Sequence, residues 1–282
     1  MKILVTGFKG QLGYDVVNEA KKNNIEAVGV DIDEMDITDK AQVDKVILNG
    51  NYDAVIHCAA YTAVDKAEEQ EDLCRKINVE GTGNIVSACQ KLNIPVMYFS
   101  TDYVFDGTGE DGWKEYGSRK PLNVYGQTKY EGEKIVENYE KHFIIRISWV
   151  FGVNGNNFVK TMLRLGREKD LVKVVDDQIG SPTYTYDLAV LVIKMIQTKK
   201  YGTYHASNEG ICSWYDFAAA IFDMANLPAK IEPTDSGSFP SIAKRPSNSR
   251  LCKDELDKKG FERLPSWQDA LERYLAVLAK EE

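Results

Sequence analysis

The strongest constraint on the fold is a short apolar segment at the start of the chain that runs directly into a turn built from three glycines. Lys2–Thr6 is rich in strand-forming residues, and Gly7, Gly10 and Gly13 follow before a helical pattern through Ala20. In such a unit the glycines provide a tight turn, close approach of the backbone to a pyrophosphate, and close packing of helix on strand. The arrangement predicts a dinucleotide-binding fold with an anion at the helix N-terminus.

Strands and helices alternate beyond this unit. Later apolar runs are typical of strands and lie at residues 27–30, 52–58, 95–100, 143–148 and 172–175. The alternation predicts an α/β fold, a Rossmann-like doubly wound parallel sheet with right-handed crossovers. After residue 150 the loops are richer in turn residues, which favours a smaller C-terminal substrate-binding lobe. We expect an NAD(P)-binding domain at residues 1–150, with returning segments near 170–205, and a discontinuous substrate lobe at 151–282.

The acidic composition argues against nucleic acid as a partner. The chain carries 35 Lys and Arg against 43 Asp and Glu, a net charge of −8, and has no basic cluster that could neutralise a run of phosphates. No apolar run approaches the ~20 residues that span a bilayer, and the apolar start is shorter than a signal sequence. We therefore expect a soluble, cytoplasmic protein. The 5 cysteines form no Cys-x-x-Cys pair, so we predict no metal site.

Several polar residues follow the early strands. Asp31 ends the second strand, at the distance from the glycine turn where a carboxylate accepts both hydroxyls of an adenosine ribose. Because a carboxylate there disfavours a 2′-phosphate, we expect NADH in preference to NADPH, with NADPH left open. Asp36 and Ile37 follow where they could lie against an adenine. His57 lies within the third strand and is predicted to be a core histidine, whereas Asn78 fits either a surface position or one that fixes a strand end.

Two features in the middle of the chain point to acid chemistry. Tyr125 and Lys129 lie four residues apart where Asn123 would cap a helix, so the phenol and the ammonium share one face. The positive charge is expected to lower the pKa of Tyr125 from about 10, so that the phenol can protonate a substrate oxygen. Thr101 and Asp102 stand at the carboxyl end of the fourth strand, where open parallel sheets place ligands.

The glycine turn, Thr101 and the Tyr125–Lys129 pair together resemble the extended short-chain dehydrogenase/reductase family. Longer strings make the chain similar to members that reduce a dTDP-linked 4-keto sugar, and they lie at residues 60–68, 100–107, 121–129, 177–183 and 245–250. The resemblance implies hydride transfer from NAD(P)H to the 4-keto carbon of dTDP-4-dehydro-L-rhamnose, giving dTDP-L-rhamnose. Tyr125 would protonate the keto oxygen, Thr101 would bond the same oxygen, and Lys129 would hold the nicotinamide ribose.

The resemblance also implies which residues hold the ligands. The expected cofactor-binding residues are Gly7, Gly10, Gln11, Leu12, Gly13, Asp31, Asp36, Ile37, Ala59, Ala60, Tyr61, Tyr125 and Lys129. The expected substrate-binding residues are Thr101, Asp102, Trp149, Asn157, Arg245 and Arg250. The arginines suit the nucleotide end because a guanidinium makes two hydrogen bonds to a diphosphate at once. Family members have been associated with Mg²⁺ at a dimer contact, so a magnesium ion and a homodimer are implied by resemblance alone.

Two alternatives stay open. A reductase or epimerase that acts on another nucleotide sugar would share these motifs, while a dehydratase would need a carboxylate pair beside Thr101. A non-catalytic, nucleotide-binding regulatory subunit would share the fold. That role would not require Thr101, Tyr125 and Lys129 to be present together.

Overall fold

A six-stranded, fully parallel sheet forms the centre of the computed structural model, which describes residues 1–238 and 241–281. The strands of these ranges are, in chain order, β1 (Lys2–Thr6), β2 (Glu26–Val30), β3 (Ala54–His57), β4 (Val96–Thr101), β5 (His142–Ile147), β6 (Val150–Phe151), β7 (Leu171–Val175), β8 (Ile179–Gly180), β9 (Thr183–Tyr184), β10 (Gly202–His205), β11 (Cys212–Ser213) and β12 (Lys230–Thr234). The order across the central sheet is β10-β5-β4-β3-β1-β2. The predicted Rossmann-like, doubly wound sheet is confirmed.

Helices cover both faces of this sheet. The α-helices of the described ranges are, in chain order, α1 (Gln11–Lys22), α2 (Lys40–Asn49), α3 (Val64–Glu69), α4 (Glu71–Arg75), α5 (Thr82–Leu92), α6 (Val124–Glu137), α7 (Phe158–Glu168), α8 (Thr185–Ile196), α9 (Trp214–Met224), α10 (Asp254–Lys258) and α11 (Trp267–Glu281). Residues of α1 and α8 build the core on one face, and those of α2, α5 and α6 build it on the other. In the described ranges, every helix is too short or too polar to cross a membrane.

The sixth strand of the central sheet is not the one predicted. Residues 172–175 belong to β7, which pairs with β12 in a separate two-stranded sheet, and β10 takes the edge position beside β5. The burial pattern gives the physical reason. In β7 only Val172 and Val174 are buried while Leu171 and Lys173 are exposed, whereas a strand covered by helices on both sides is apolar along its length.

The remaining elements form a second lobe around an aromatic core. Helices α7, α9 and α11 supply much of it, with Phe151, Phe217 and Tyr274 fully buried at its centre. Between β9 and β11 the chain leaves this lobe, because α8 packs on α1 and β10 joins the central sheet. Of the lobe expected at 151–282, residues 239, 240 and 282 lie outside the described residues.

Candidate active site

A cleft of about 740 Å³ opens along the carboxyl ends of the central strands. Such ends meet at one edge of a parallel sheet, which is why side chains distant in sequence gather here. The predicted site residues in its lining are Gly7, Gly10, Gln11, Leu12, Gly13, Asp31, Asp36, Ile37, Ala59, Ala60, Thr101, Asp102, Tyr125, Lys129 and Trp149. Tyr61, Asn157, Arg245 and Arg250 are not among the lining residues.

The glycine turn brings three segments of backbone into contact. Gly7 has a φ of +66°, and a Cβ atom there would lie 2.7 Å from the Ala59 nitrogen. A Cβ on Gly13 would lie 2.3 Å from the Gly7 carbonyl oxygen, so α1 can pack this closely only with glycine at both positions. Helix α1 starts directly after Gly10, a residue whose own side chain cannot cap it. The turn and the helix N-terminus therefore fit a dinucleotide diphosphate.

Asp31 stands at the far end of this turn. Its Oδ2 accepts a hydrogen bond from the backbone nitrogen of Lys9 (3.2 Å), and its Oδ1 accepts one from the backbone nitrogen of Ile32 (2.9 Å). Each carboxylate oxygen keeps a lone pair for a ribose hydroxyl. The Lys9 ammonium lies 2.6 Å from Asp33 and 3.5 Å from Glu34. Asp31, Asp33 and Glu34 together outnumber the single Lys9 ammonium, so this rim of the cleft is net negative, which disfavours a phosphate.

The start of α6 positions the acid residues. The Asn123 side chain accepts a hydrogen bond from the Gly126 nitrogen at 2.8 Å, so the predicted N-cap is confirmed. In the first turn of the helix, the Tyr125 phenol hydrogen-bonds the Thr101 side chain. The Tyr103 ring packs edge-on against Tyr125 with the centroids 5.7 Å apart. Tyr103 also lines the cleft, and sequence reasoning had not selected it.

The pKa of Tyr125 departs from the expectation. Burial raises it well above the ordinary tyrosine value, the Thr101 hydrogen bond opposes that rise, and the Asp102 charge adds to it. The expectation of a lowered pKa was wrong, because the cost of burying a phenolate exceeds the stabilisation available. Lys129, which is 3% exposed, has its pKa lowered to about 7 by burial, while the Glu133 charge opposes the fall.

Asp102 lies behind Thr101 and is 2% exposed. Its Oδ1 accepts a hydrogen bond from the Thr101 hydroxyl (3.0 Å), and its Oδ2 accepts one from the Ser249 hydroxyl. Burial raises the pKa of Asp102 to about 6, against the effect of these two hydrogen bonds. Ser249 comes from the 245–250 string, so its segment had a signal in the sequence although the residue itself did not.

Two stacked tryptophans form an apolar part of the cleft lining. Trp149 has a φ of +49°, an unfavourable region for a bulky side chain, and its ring stacks on Trp214 with the centroids 3.8 Å apart. Both residues line the cleft. Trp149 was predicted, whereas Trp214 begins α9 and carried no signal beyond a helix start. A flat aromatic wall suits the apolar face of a sugar or a base.

The four predicted residues outside the lining are occupied elsewhere. Asn157 caps α7, accepting from the Lys160 nitrogen at 3.0 Å, and its amide donates to other backbone and side-chain oxygens. Arg245 pairs with Asp65 at 2.7 Å, and Arg250 donates to a neighbouring asparagine. The backbone nitrogen of Tyr61 donates a hydrogen bond to the Asn78 side chain, and the Tyr61 carbonyl oxygen accepts one from it. These polar groups have partners within the fold and do not line the cleft, although Asn157 donates to Gln11 and Arg245 donates to Tyr103, two residues that do.

Two polar residues of the core are structural. His57 is 2% exposed, hydrogen-bonds Thr6 at 2.7 Å, and has its pKa lowered to about 3 by burial. The predicted core histidine is confirmed. Asn78 is buried, accepts from the Tyr61 nitrogen (2.8 Å) and donates to Thr128 (3.1 Å). It therefore ties the segment after β3 to α6, next to Lys129.

The residues that the structure describes assemble no donor set for a metal ion within one chain. Across residues 1–238 and 241–281, no group of three or more His, Cys, Asp or Glu side chains could hold an ion. The Mg²⁺ implied at a dimer contact stays a prediction by resemblance, and no residue of this chain is assigned to it.

Comparison with known proteins finds relatives that match over nearly the whole chain. A family model described as "RmlD substrate binding domain" matches residues 1–280. A dTDP-4-dehydrorhamnose reductase from Aggregatibacter actinomycetemcomitans is 40% identical, over 98% of this chain and 98% of that protein. The crystal structure of such a reductase from Clostridium acetobutylicum has a TM-score of 0.97 at 43% identity, covering 99% and 100% of the two chains. One from Bacillus anthracis, in complex with NADP, has a TM-score of 0.96 at 43% identity, covering 98% and 99%.

Proposed function

The chain belongs to the RmlD substrate binding domain family, and from this we propose that it reduces dTDP-4-dehydro-L-rhamnose to dTDP-L-rhamnose with NAD(P)H. The observation that carries the proposal is the meeting of Thr101, Tyr125 and Lys129 in one cleft with the glycine turn. A nicotinamide bound there supplies the hydride. The chain's own residues orient the sugar and supply the proton.

The proposed roles follow from charge development at the keto oxygen. As hydride reaches carbon 4, negative charge grows on that oxygen, and a donor aimed at it lowers the barrier more than it stabilises bound substrate. Tyr125 gives the oxygen its proton. A phenol with a raised pKa is fully protonated at neutral pH, so the acid is always loaded. Lys129 holds the nicotinamide ribose and stabilises the phenolate that forms.

For the sugar and nucleotide we propose contacts of two kinds. Trp149, with Trp214 stacked on it, packs against an apolar face of the substrate, and Asp102 lies beside the sugar. Arg245 is the favoured residue for the diphosphate, because it hydrogen-bonds the Tyr103 hydroxyl (3.2 Å) at the edge of the cleft. Binding a diphosphate would require Arg245 to exchange its ion pair with Asp65. A homodimer stays a prediction, which light scattering of the pure protein would test.

We propose a preference for NADH over NADPH, supported by Asp31 and the carboxylates beside it. In Asp31→Ala we expect kcat/KM with NADH to fall about tenfold or more, since charge-assisted hydrogen bonds to the ribose are lost. Activity with NADPH should hold or rise. The ratio of the two kcat/KM values measures the effect, and Asp223→Ala, an exposed carboxylate on α9, serves as control. An unchanged ratio in Asp31→Ala would exclude this role.

The function itself is tested by mixing the protein with reduced nicotinamide and dTDP-4-dehydro-L-rhamnose and identifying the product. We expect cofactor oxidation matched mole for mole by dTDP-L-rhamnose. Tight cofactor binding without oxidation would indicate the regulatory subunit. Oxidation only with a different nucleotide-linked keto sugar would indicate a reductase of other specificity.

A further inference from the structure

The Thr101 hydroxyl has more partners than protons. A hydroxyl carries one proton and two lone pairs. Thr101 donates that proton to Asp102 at 3.0 Å, accepts from the Tyr103 nitrogen at 3.2 Å, and also hydrogen-bonds Tyr125. With its proton committed to Asp102, Thr101 can only accept from Tyr125. The chain of donors then runs from Tyr125 through Thr101 to Asp102, away from a substrate in the cleft.

The second oxygen of Asp102 is held by a residue from the other end of the chain. The Ser249 hydroxyl donates to it across a separation of 147 residues. Two phenols face Asp102, those of Tyr103 and Tyr125. The Arg245 guanidinium donates to the Tyr103 hydroxyl at 3.2 Å and is not among the main influences on Asp102. The largest influences on the pKa of Asp102 are burial and uncharged donors, so its charge is weakly compensated.

We propose that Asp102 is a positioning residue whose proton sets the direction of the Thr101 hydrogen bond, so that reduction proceeds with Asp102 neutral, and that Ser249 tunes how readily this neutral form is reached. The inference rests on the proposed reduction. It assigns Ser249, a side chain of the C-terminal segment, to the acid machinery of β4 and α6.

The proton movements balance within this group of residues. When Asp102 is neutral, its O–H donates to Thr101, whose own proton turns toward Tyr125. As hydride reaches the keto carbon, the Tyr125 O–H bond breaks and a new O–H bond forms on the sugar. The phenolate takes the Thr101 proton while Thr101 takes that of Asp102. One proton and one hydride convert the ketone to the alcohol, and Asp102 ends as a carboxylate that solvent reprotonates.

The direction of the pH effect follows from the burial of Asp102. Burial raises the pKa of Asp102 to about 6, and the Ser249 hydrogen bond works against that rise. The neutral carboxyl is therefore populated at and below about pH 6, and the ionised form dominates above it. Removing the Ser249 hydroxyl raises the pKa of Asp102 further, so the neutral form persists to higher pH.

The test is the pH profile of kcat for reduction in four proteins. In the wild type we expect kcat to fall with rising pH first through Asp102 near 6 and again through Lys129 near 7. Above both, the fall should be about 100-fold per pH unit, because two groups must be protonated. Asp102→Asn can donate a hydrogen bond to Thr101 but no proton, so it should lower kcat, remove one of the two steps and leave about tenfold per unit. Ser249→Ala should shift the first step up by about one pH unit.

Ser247→Ala is the matched control, because its hydroxyl lies two residues away and donates to the Gly107 oxygen at 2.8 Å. Its profile should coincide with that of the wild type. A purely structural role for Asp102 and Ser249 would lower kcat at every pH and leave the steps where they are, which overturns the proposal. Ser249→Ala keeps the test valid if Asp102→Asn fails to fold. Turnover by the wild type tests the proposed function, whereas a shift or loss of a step in the pH profile of kcat tests this inference.

Discussion

Replacing Tyr125 with phenylalanine is expected to lower kcat about 10²- to 10⁴-fold, the usual contribution of a positioned general acid. The substitution removes one oxygen from a ring that packs against Tyr103 and hydrogen-bonds Thr101. Since the ring itself stays, the fold and the cofactor cleft should survive. Initial rates of NAD(P)H oxidation, with cofactor affinity measured by nicotinamide fluorescence, separate chemistry from binding.

The control for this substitution lies on the same helix. Tyr130 packs with Arg119 and Lys134 against the faces of its ring, so Tyr130→Phe should leave kcat unchanged. A Tyr125→Phe protein that keeps a tenth or more of the wild-type kcat would show that the proton comes from another group. A variant that has lost cofactor binding as well would point to a structural role.

Replacing Arg146 with methionine is expected to destabilise the protein by about 3–5 kcal/mol, a large fraction of a typical domain's stability. Arg146 lies on β5 and is 1% exposed. Its guanidinium forms a bidentate ion pair with the Glu133 carboxylate, with N–O distances of 2.7 and 2.9 Å. It also donates to the Glu115 carbonyl oxygen at 2.6 Å and to His205 at 3.1 Å. The substitution leaves Glu133 buried with less of its compensating charge. Urea unfolding followed by circular dichroism measures the loss.

The pH dependence of this loss has a definite sign. Burial raises the pKa of Glu133, but Arg146 outweighs it, so the folded pKa lies below the ordinary glutamate value of 4.5. The pair's contribution is therefore complete above that value and lost as pH falls through the folded pKa. The gap between wild type and Arg146→Met should narrow in acid. Arg164→Met, which breaks an exposed pair with Glu168, should cost ~0.5 kcal/mol or less at any pH.

The parts of the site that sequence predicted are those encoded by local signals. The glycine turn, Asp31 and Thr101 each directly follow an apolar strand, and parallel strand ends meet at one edge of the sheet. Tyr125 and Lys129 share a helix whose cap, Asn123, is visible in the sequence. Nothing but strand order is then required to bring them together.

What sequence missed depends on long-range choices. Residues 172–175 were predicted as a strand of the central sheet, but β7 pairs with β12 instead, and the edge position belongs to β10, which was not predicted from the sequence. A guanidinium binds a carboxylate as well as it binds a diphosphate, and in this fold Arg245 forms an ion pair with Asp65. The lowered Tyr125 pKa was argued from one neighbour, whereas burial acts on every buried phenol. Ser249 hydrogen-bonds Asp102 although the two are 147 residues apart in sequence, and a local sequence pattern cannot predict such a contact.

The position of β10 at the edge of the central sheet has a consequence for synthesis of the protein. β5 ends at residue 147, but its outer neighbour, Gly202–His205, is made only after the loops and helices in between. Until then the outer edge of β5, which carries Phe143 and Ile145, has no strand beside it. Its free backbone groups can pair with a strand of another chain. A protein fragment that ends near residue 150 would keep this edge unpaired, so we expect it to aggregate on expression. A fragment extended through α8 and β10 would contain the missing edge strand, and we expect it to complete the sheet.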